Sequence, residues 1–225
     1  MKKFTVLIAL LFAISTQAQN VINREVGDFY ELKVFNKINV VFKQGDENKV
    51  SISGSKRENV NVKNIDGLLK ISMSIGNLWD DNNTQVIVWG KSIETIDVNE
   101  GSSVRFKSGI KAESLTLRAQ EGATMRGDLD VKRLKVKAVT GGIINATGKV
   151  YKQEITITTG GSYLAKYLEA DTTEVDVVAG GTAEVKATRL VKATTNAGGV
   201  INIYGKPEEI DSKKRFGGKI IEVNE

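Results

Sequence analysis

The amino-acid sequence repeats a glycine-centred unit about every twenty residues from position 100 to the C-terminus. The units read EGSSVRF, EGATMRG, GGIINAT, GGSYLAK, GGTAEVK, GGVINIY and GGKIIEV. Aligned on one glycine each, they lie 18 to 21 residues apart, and the aligned glycines are Gly101, Gly122, Gly142, Gly161, Gly181, Gly199 and Gly218. A fixed period of this size is typical of solenoids, in which a unit buries its apolar face only by stacking on the next unit.

Apolar alternation around the glycines predicts the structure of each unit. Ile96 and Val98 precede Gly101, and Val104 and Phe106 follow it, and this period of two is typical of half-buried strands. Two strands and two corners in about 20 residues form one coil. We therefore predict an all-β chain that forms a right-handed parallel β-helix-like solenoid with about 20 residues per coil. An antiparallel sandwich with regular turns is the alternative.

Stacking in register gives the solenoid an interior and an exterior. Glycine suits the corners because it adopts positive φ without steric cost and has no Cβ to meet the neighbouring coil. We expect a single inner column formed by Leu115, Leu134, Ile155 and Val175. The side chains expected to point outward are Thr116, Lys135, Thr156, Asp176 and Lys192.

The chain divides into three segments. Residues 1–18 resemble a secretory signal peptide, because Lys2 and Lys3 precede 11 apolar residues and the small residues Thr16 and Ala18 follow. That run is shorter than the roughly 20 residues of a membrane span, so we expect cleavage after Ala18 rather than a membrane anchor. Residues 19–90 read as a β-strand section, and residues 91–225 carry the repeats. We expect 19–225 to form one continuous domain.

Composition excludes several kinds of chemistry. The chain has no Cys and no His, which removes thiolate nucleophiles, Ser–His–Asp triads and ordinary zinc sites. We expect no cofactor and no bound metal. Removing the two signal lysines lowers the formal charge from +5 to +3, since 30 basic residues then face 27 acidic ones. An exported chain with a small positive charge and no recognition helix is not expected to bind nucleic acid.

Two motifs identify a family. The stretch GGVINIYGKP contains Tyr204, Gly205 and Pro207, the last of which is the only proline in the chain. The front end reads DFYELKVFNKINVVFKQGDENKVSISG. With the glycine repeats, these motifs resemble the "putative auto-transporter adhesin, head GIN domain" family, a domain of unknown function, from about Val26 to Val223. The resemblance implies an exported β-helical domain in the periplasm, on the outer-membrane surface of a Gram-negative cell or outside the cell, and it carries no catalytic residues.

One polar loop is a candidate ligand site. Trp79, Asp80, Asp81 and Asn82 combine an indole with carboxylates and an amide, which suits a sugar whose ring packs on the aromatic face. The two carboxylates also suit Ca²⁺, although an EF-hand order of ligands is absent. A solvated loop with its Trp packed on the sheet is the alternative interpretation.

Two carboxylates are the candidates for catalysis. Glu100 and Glu121 occupy equivalent positions in consecutive coils, so they are expected to lie about 5 Å apart. Retaining glycosidases place their two carboxylates about 5–5.5 Å apart. Arg105, Arg118 and Arg126 lie nearby in the sequence. A solvated charged edge is the alternative interpretation.

A basic stripe is the remaining candidate surface. It consists of Lys132, Arg133, Lys135, Lys137, Lys152 and Lys166. Such a stripe suits anionic glycan or lipid phosphate, and outward lysines also prevent sheets from pairing edge to edge.

These observations predict a non-catalytic exported domain with an adhesion or glycan-binding role, whose partner is a cell-surface glycan or another envelope component. A polysaccharide lyase or hydrolase of the β-helix type is one alternative. A self-associating envelope scaffold is the other, in which a homo-oligomer forms through the open end at Gly217–Val223.

Overall fold

The protein is a β-solenoid. The computed structural model describes residues 21–74 and 83–224. They form a single 16-stranded sheet that coils about seven times with a spacing of about 19 residues, and the short 3₁₀ turn Arg57–Asn59 adds little helix. The predicted all-β solenoid is confirmed.

The strands fall into an N-terminal group of short strands, a central group of long ones and a C-terminal group of short ones. The N-terminal strands are β1 (Ile22–Glu25), β2 (Glu31–Val34), β3 (Asn39–Gln44), β4 (Lys49–Ser53), β5 (Val60–Ile65), β6 (Leu68–Met73), β7 (Gln85–Gly90) and β8 (Thr95–Val98). The central strands are β9 (Ser103–Gln120), β10 (Thr124–Val139), β11 (Ile143–Thr158), β12 (Ser162–Val178) and β13 (Thr182–Asn196). The last three are β14 (Val200–Tyr204), β15 (Glu209–Arg215) and β16 (Lys219–Glu222).

Each central coil is one continuous strand of 15 to 18 residues rather than the two short strands that the sequence suggested. The strand turns around the core because two bends divide it. At each bend the alternation of buried and outward residues is interrupted. In β9 the interruptions are residues 107–109 and residues 113–114, none of which is buried. Together with the glycine corner, these bends give every coil three sides around a shared interior.

The N-terminal strands extend the same coils. Strands β3 and β8 both pair in parallel with β9, and β2 pairs in parallel with β8. The outermost pairings, β1 with β4 and β5 with β6, are antiparallel and cover this end of the stack. Buried residues from Phe29 to Ile203 form one continuous hydrophobic core.

The inner columns are offset by two residues from the predicted one. Leu115 and Leu134 are register partners, but the next partner of Leu134 is Gln153. Ile155 and Val175 pair with each other in the neighbouring inner column. The predicted single column of four residues is therefore wrong. Strands β10 and β11 pair residue for residue at a spacing of 19, so the polar Gln153 follows Leu134 in the column, whereas apolarity alone points to Ile155 two positions further on. All of the predicted outward residues do lie on the outer surface.

A polar trio inside the core was not anticipated. Tyr163 donates to Gln153 Oε1 at 2.8 Å, and Gln153 Nε2 donates to Thr173 Oγ1 at 2.9 Å. All three side chains are completely buried. Burial raises the pKa of the Tyr163 phenol far above its usual range. The Tyr163–Gln153 hydrogen bond crosses the core. The two bonds together connect Tyr163, on the side that follows a glycine corner, to Gln153 and Thr173, on the side that precedes one.

The glycine register at the corners also differs from the predicted alignment. Strand pairing matches Thr124 with Ile143, so Gly122 stacks on Gly141, and Ala123 stacks on Gly142. The first glycine column is Gly101, Gly122, Gly141, Gly160, Gly180, Gly198 and Gly217, whereas Gly142, Gly161, Gly181, Gly199 and Gly218 belong to a second column with Ser102 and Ala123. The seven glycines aligned in the sequence therefore belong to two adjacent columns. The reason is that the first two coils have one corner glycine each and the later coils have two.

The two columns have different physical requirements. Glycines of the first column have positive φ, and from Gly122 onward a Cβ there would meet nothing within 4 Å. Glycines of the second column pack against the preceding coil. A Cβ on Gly142 would overlap the carbonyl oxygen of Ala119, and a Cβ on Gly161 would overlap the carbonyl oxygen of Ala138. The first column needs backbone freedom, whereas Gly142 and Gly161 of the second column need the absence of a side chain.

The last coil places polar or charged residues where earlier coils place buried ones. Lys214 follows the buried Thr195 in its inner column, Ser212 follows Ala193, and Glu222 follows Ile203. Inward charges on terminal strands oppose edge-to-edge pairing. This end therefore has a polar cap, although the sequence repeats suggested that little chain was left to form one.

Substituting the two glycine columns separates their roles. Gly142→Ala is expected to destabilise the protein by about 3 kcal/mol or more, because backbone must move to admit the methyl group. Gly141→Asn is expected to cost about 1 kcal/mol or less, because Asn tolerates positive φ and the position is open. Urea unfolding of the two variants measures the difference, and equal losses would contradict the assignment of the columns.

The buried trio predicts a pH-dependent effect on stability. Tyr163→Phe leaves the Gln153 oxygen buried without a donor, at a cost of about 1–3 kcal/mol in urea unfolding at pH 7. The folded state keeps this phenol neutral, so wild-type stability falls above the unfolded phenol's pKa of about 10, by up to about 1.4 kcal/mol per pH unit. The gap between wild type and Tyr163→Phe should therefore narrow above pH 10.

The control is the triple variant Gln153→Leu, Tyr163→Phe, Thr173→Val, which removes every polar group of the trio and should recover most of the stability lost at pH 7. A constant gap between wild type and Tyr163→Phe from pH 7 to pH 11 would show that the phenol is not protected in the folded state.

Candidate functional site

The residues predicted to be functional fall on several separate parts of the surface. Trp79, Asp80, Asp81 and Asn82 lie outside the described residues, as does the predicted signal segment, so both remain predictions from the sequence.

Glu100 and Glu121 stack in consecutive coils, as their equivalence in the sequence predicted. Both are the corner residues that precede a first-column glycine, both have positive φ (54°), and Gly101 N–H donates to the Glu121 carbonyl at 3.0 Å. Both side chains are exposed on a convex corner, and Asn36 Nδ2 donates to a Glu100 carboxylate oxygen. A convex corner offers a substrate no enclosing walls.

The arginines near these carboxylates in the sequence do not converge on them in the structure. Arg105 and Arg126 are register partners on the side after the corner. Arg118 lies on the side before the corner, where its register partners are Asp97 and Lys137. The three arginines and the two glutamates therefore do not form one convergent site.

Tyr204, Gly205 and Pro207, the motif that resembles the family, lie where the chain enters the last coil. Tyr204 ends β14, and Gly205 adopts a φ of 90° with its backbone against the preceding coil, where a Cβ would lie 2.7 Å from the Ala187 oxygen. Pro207 follows in the bend that leads into β15, beside Ile203 and Ile210. These residues direct the chain into the last coil.

The basic stripe is divided by the bends. Arg133, Lys135 and Lys137 point outward along β10, and Lys152 is the register partner of Arg133. Lys132 lies across a bend, where its ammonium is 2.7 Å from Glu113 and lowers the pKa of that carboxyl.

Lys166 lies elsewhere, with its ammonium 4.9 Å from the centre of the Tyr167 ring. The structure therefore brings together four of the six predicted cations, namely Arg133, Lys135, Lys137 and Lys152.

An exposed tyrosine is the most distinctive group on the sides of the solenoid. Tyr151 is 63% exposed, between Lys132 of the coil before and Asp171 of the coil after. Arg189 binds Asp171 with Nε and Nη2 both at 3.0 Å and lowers the pKa of that carboxyl. An aromatic ring thus lies between two ion pairs, Lys132–Glu113 and Arg189–Asp171.

Sequence reasoning missed this group. Period-two alternation alone does not locate the bends, and Tyr151 stands where Val150, Tyr151, Lys152 and Gln153 run buried, outward, outward, buried. The available signal was a tyrosine between a valine and a lysine, which also fits an ordinary strand residue.

The sequence matches the family described as "Putative auto-transporter adhesin, head GIN domain" over residues 28–207. The chain belongs to this family. No curated protein matches it significantly.

Solved structures resemble this GIN domain at low sequence identity. A putative adhesin from Bacteroides fragilis superposes with a TM-score of 0.84 at 16% identity, covering 92% of this chain and 98% of that one. A putative adhesin from Parabacteroides merdae gives 0.67 at 16% identity with the same coverage, and a putative lipid-binding protein from Parabacteroides distasonis gives 0.64 at 15%, again with the same coverage. Likeness at this identity shows that the fold is shared.

Whether the chain has a membrane-spanning helix or a metal-binding cluster also bears on its function. Among residues 21–74 and 83–224, no helix is both long enough and apolar enough to span a bilayer. Nor do these residues contain a cluster of three acidic side chains able to hold a metal ion.

Proposed function

We propose that this GIN domain is a non-catalytic, exported adhesion module that binds glycan through the solvent-facing sides of its solenoid. The observation that carries the proposal is Tyr151, an aromatic ring exposed on a rigid side between two ion pairs. The family and the adhesin-like names of similar structures support the general role.

The chemistry of this group suits a sugar. The ring offers an apolar face with a polar hydroxyl at its tip, which matches a pyranose that has a C–H face and a hydroxyl rim. Glu113, Lys132, Asp171 and Arg189 supply charged acceptors and donors on both sides of the ring, and hydrogen bonds to charged groups are the stronger ones. The ion pairs hold these groups in place, so little side-chain entropy is lost on binding.

The same surface explains why binding rather than turnover is proposed. The groups around Tyr151 lie on an open side of a sheet, and Glu100 and Glu121 lie on a convex corner. An open surface binds through complementarity but does not exclude water from a reacting bond. Affinity at one such surface is modest, and presentation of many copies on a cell multiplies it.

A glycan array tests the proposal directly. Purified wild-type protein is expected to bind a subset of glycans, and Tyr151→Ala is expected to weaken that binding about tenfold or more, as loss of an aromatic anchor does. Tyr151→Phe should retain most of the affinity because it keeps the ring. Tyr167→Ala is the matched control, because Tyr167 is also exposed (69%) but has the Lys166 ammonium over its ring.

Three outcomes would contradict the proposal. The first is that no glycan binds, and the second is that Tyr151→Ala binds as wild type does. The third is release of reducing ends or unsaturated sugar that Glu100→Gln or Glu121→Gln abolishes, which would favour an enzyme. Light scattering on the array samples shows whether binding depends on self-association of the chain.

A further inference from the structure

We propose a second binding surface, independent of Tyr151, that takes a linear polyanion, namely an acidic polysaccharide with repeated carboxylate or sulfate groups. The surface, here called the basic row, consists of Arg118, Arg133, Lys135, Lys137 and Lys152. It occupies the side of the coils that precedes the glycine corner.

The backbone sets the spacing of these cations. Arg133, Lys135 and Lys137 alternate along β10, so neighbouring side chains of the three start about 6.7 Å apart on the same face. Arg118 of β9 is the register partner of Lys137, and Lys152 of β11 is the register partner of Arg133. The five cations therefore form a row about two strand spacings wide, held by a sheet rather than by loops.

Most of these charges are not neutralised within the protein. Among the described residues, neither Arg118, Arg133, Lys135 nor Lys137 forms an ion pair or a side-chain hydrogen bond. Lys152 does pair, with its ammonium 2.7 Å from Glu154, and the pKa of that carboxyl is lowered as a result. Lys135 also lies beside Glu154, its register partner, and Arg133 lies near Glu113, and the charge of each cation helps to lower the pKa of that carboxyl. The five cations of the row still outnumber the carboxylates on its edges, Glu154 and Asp97.

At the Arg118 edge of the row, the neighbouring carboxylate is Asp97, and it accepts hydrogen bonds from two side-chain amides. Asp97 is only 8% exposed, and its Oδ1 accepts from Asn99 Nδ2 at 3.0 Å and from Gln120 Nε2 at 3.2 Å. Asn99 Oδ1 accepts a second bond from Gln120 Nε2 at 3.1 Å. The amide network fixes the position of this carboxylate, which forms no ion pair with its register partner Arg118 among the described residues.

The neighbours of the row favour a polysaccharide over a membrane. Ser114, Thr116 and Thr156 point outward among the cations and offer hydroxyls to a polar chain. Among the described residues, none of the outward positions within the row carries a large exposed hydrophobic side chain. Membrane-surface binding depends on apolar side chains that enter the acyl boundary as well as on positive charge. A flat, linear row of cations fits an extended anionic chain.

Binding of two polyanions and one neutral polymer tests the basic row. The probes are polygalacturonate, which carries carboxylates, dextran sulfate, and uncharged dextran, each titrated against the full chain at low and physiological salt. Wild type is expected to bind both polyanions, more weakly as salt rises, and to ignore dextran. The triple variant Arg133→Gln, Lys135→Gln, Lys137→Gln should bind about tenfold more weakly or worse.

A charge-matched control separates this surface from net charge. Lys63→Gln, Lys206→Gln, Lys219→Gln removes three exposed lysines outside the row and should change the affinity less than about twofold. Equal losses in both triple variants, or equal binding to dextran, would overturn the proposal. So would binding to vesicles of phosphatidylglycerol and phosphatidylcholine with no binding to either polysaccharide.

The test of the basic row can be separated from the test of glycan binding at Tyr151. Tyr151→Ala should leave polyanion binding unchanged, and the row variant should leave binding to uncharged array glycans unchanged. If Tyr151→Ala also abolished polyanion binding, the two surfaces would be one site and the separate basic row would be wrong.

Discussion

Each coil of this solenoid lies against the coil before it at a corner where backbone meets backbone. At Gly142 and Gly161 there is no room for a Cβ beside the carbonyl groups of Ala119 and Ala138. Interstrand hydrogen bonds such as Ile143 N–H to the Ala123 carbonyl (2.9 Å) continue from this contact into the long strands. Because the corner fixes how coils stack, it also fixes which side chains become neighbours across coils.

The outer surface follows from that stacking. Apolar columns fill most core positions, with the hydrogen-bonded trio and a few other buried polar residues such as Thr195 among them. Tyr151 between its ion pairs and the row Arg133–Lys137 are both products of register, since their partners lie about 19 residues away in the sequence. The polar last coil, with Lys214 and Glu222 at inward positions, opposes edge-to-edge pairing of strands at that end.

The sequence predicted the architecture but not the register. The solenoid follows from the glycine period, and Glu100 opposite Glu121 follows from two units of identical form. The inner column differs from the predicted one because the polar Gln153 occupies an inner position that apolarity assigned to Ile155. Further along the chain the register also depends on the bends, where β12 inserts residues between Leu164 and Glu169 relative to β13. Buried Gln153 was not predictable from alternation because its partner Tyr163 lies across the core. Tyr151 could not be assigned to an outward side because period-two alternation does not locate the bends.

In-register stacking is the claim on which both proposed surfaces rest, and paired cysteines test it most directly because the chain has none of its own. Thr156 and Asp176 are register partners, so their Cα atoms lie within the roughly 4.4–6.8 Å that a disulfide spans. Thr156 and Val178 are offset by two residues and lie about 8 Å apart. Under mild oxidation, Thr156→Cys with Asp176→Cys should form a disulfide in the folded protein, and Thr156→Cys with Val178→Cys should not. The opposite result would contradict the stacking described for these coils.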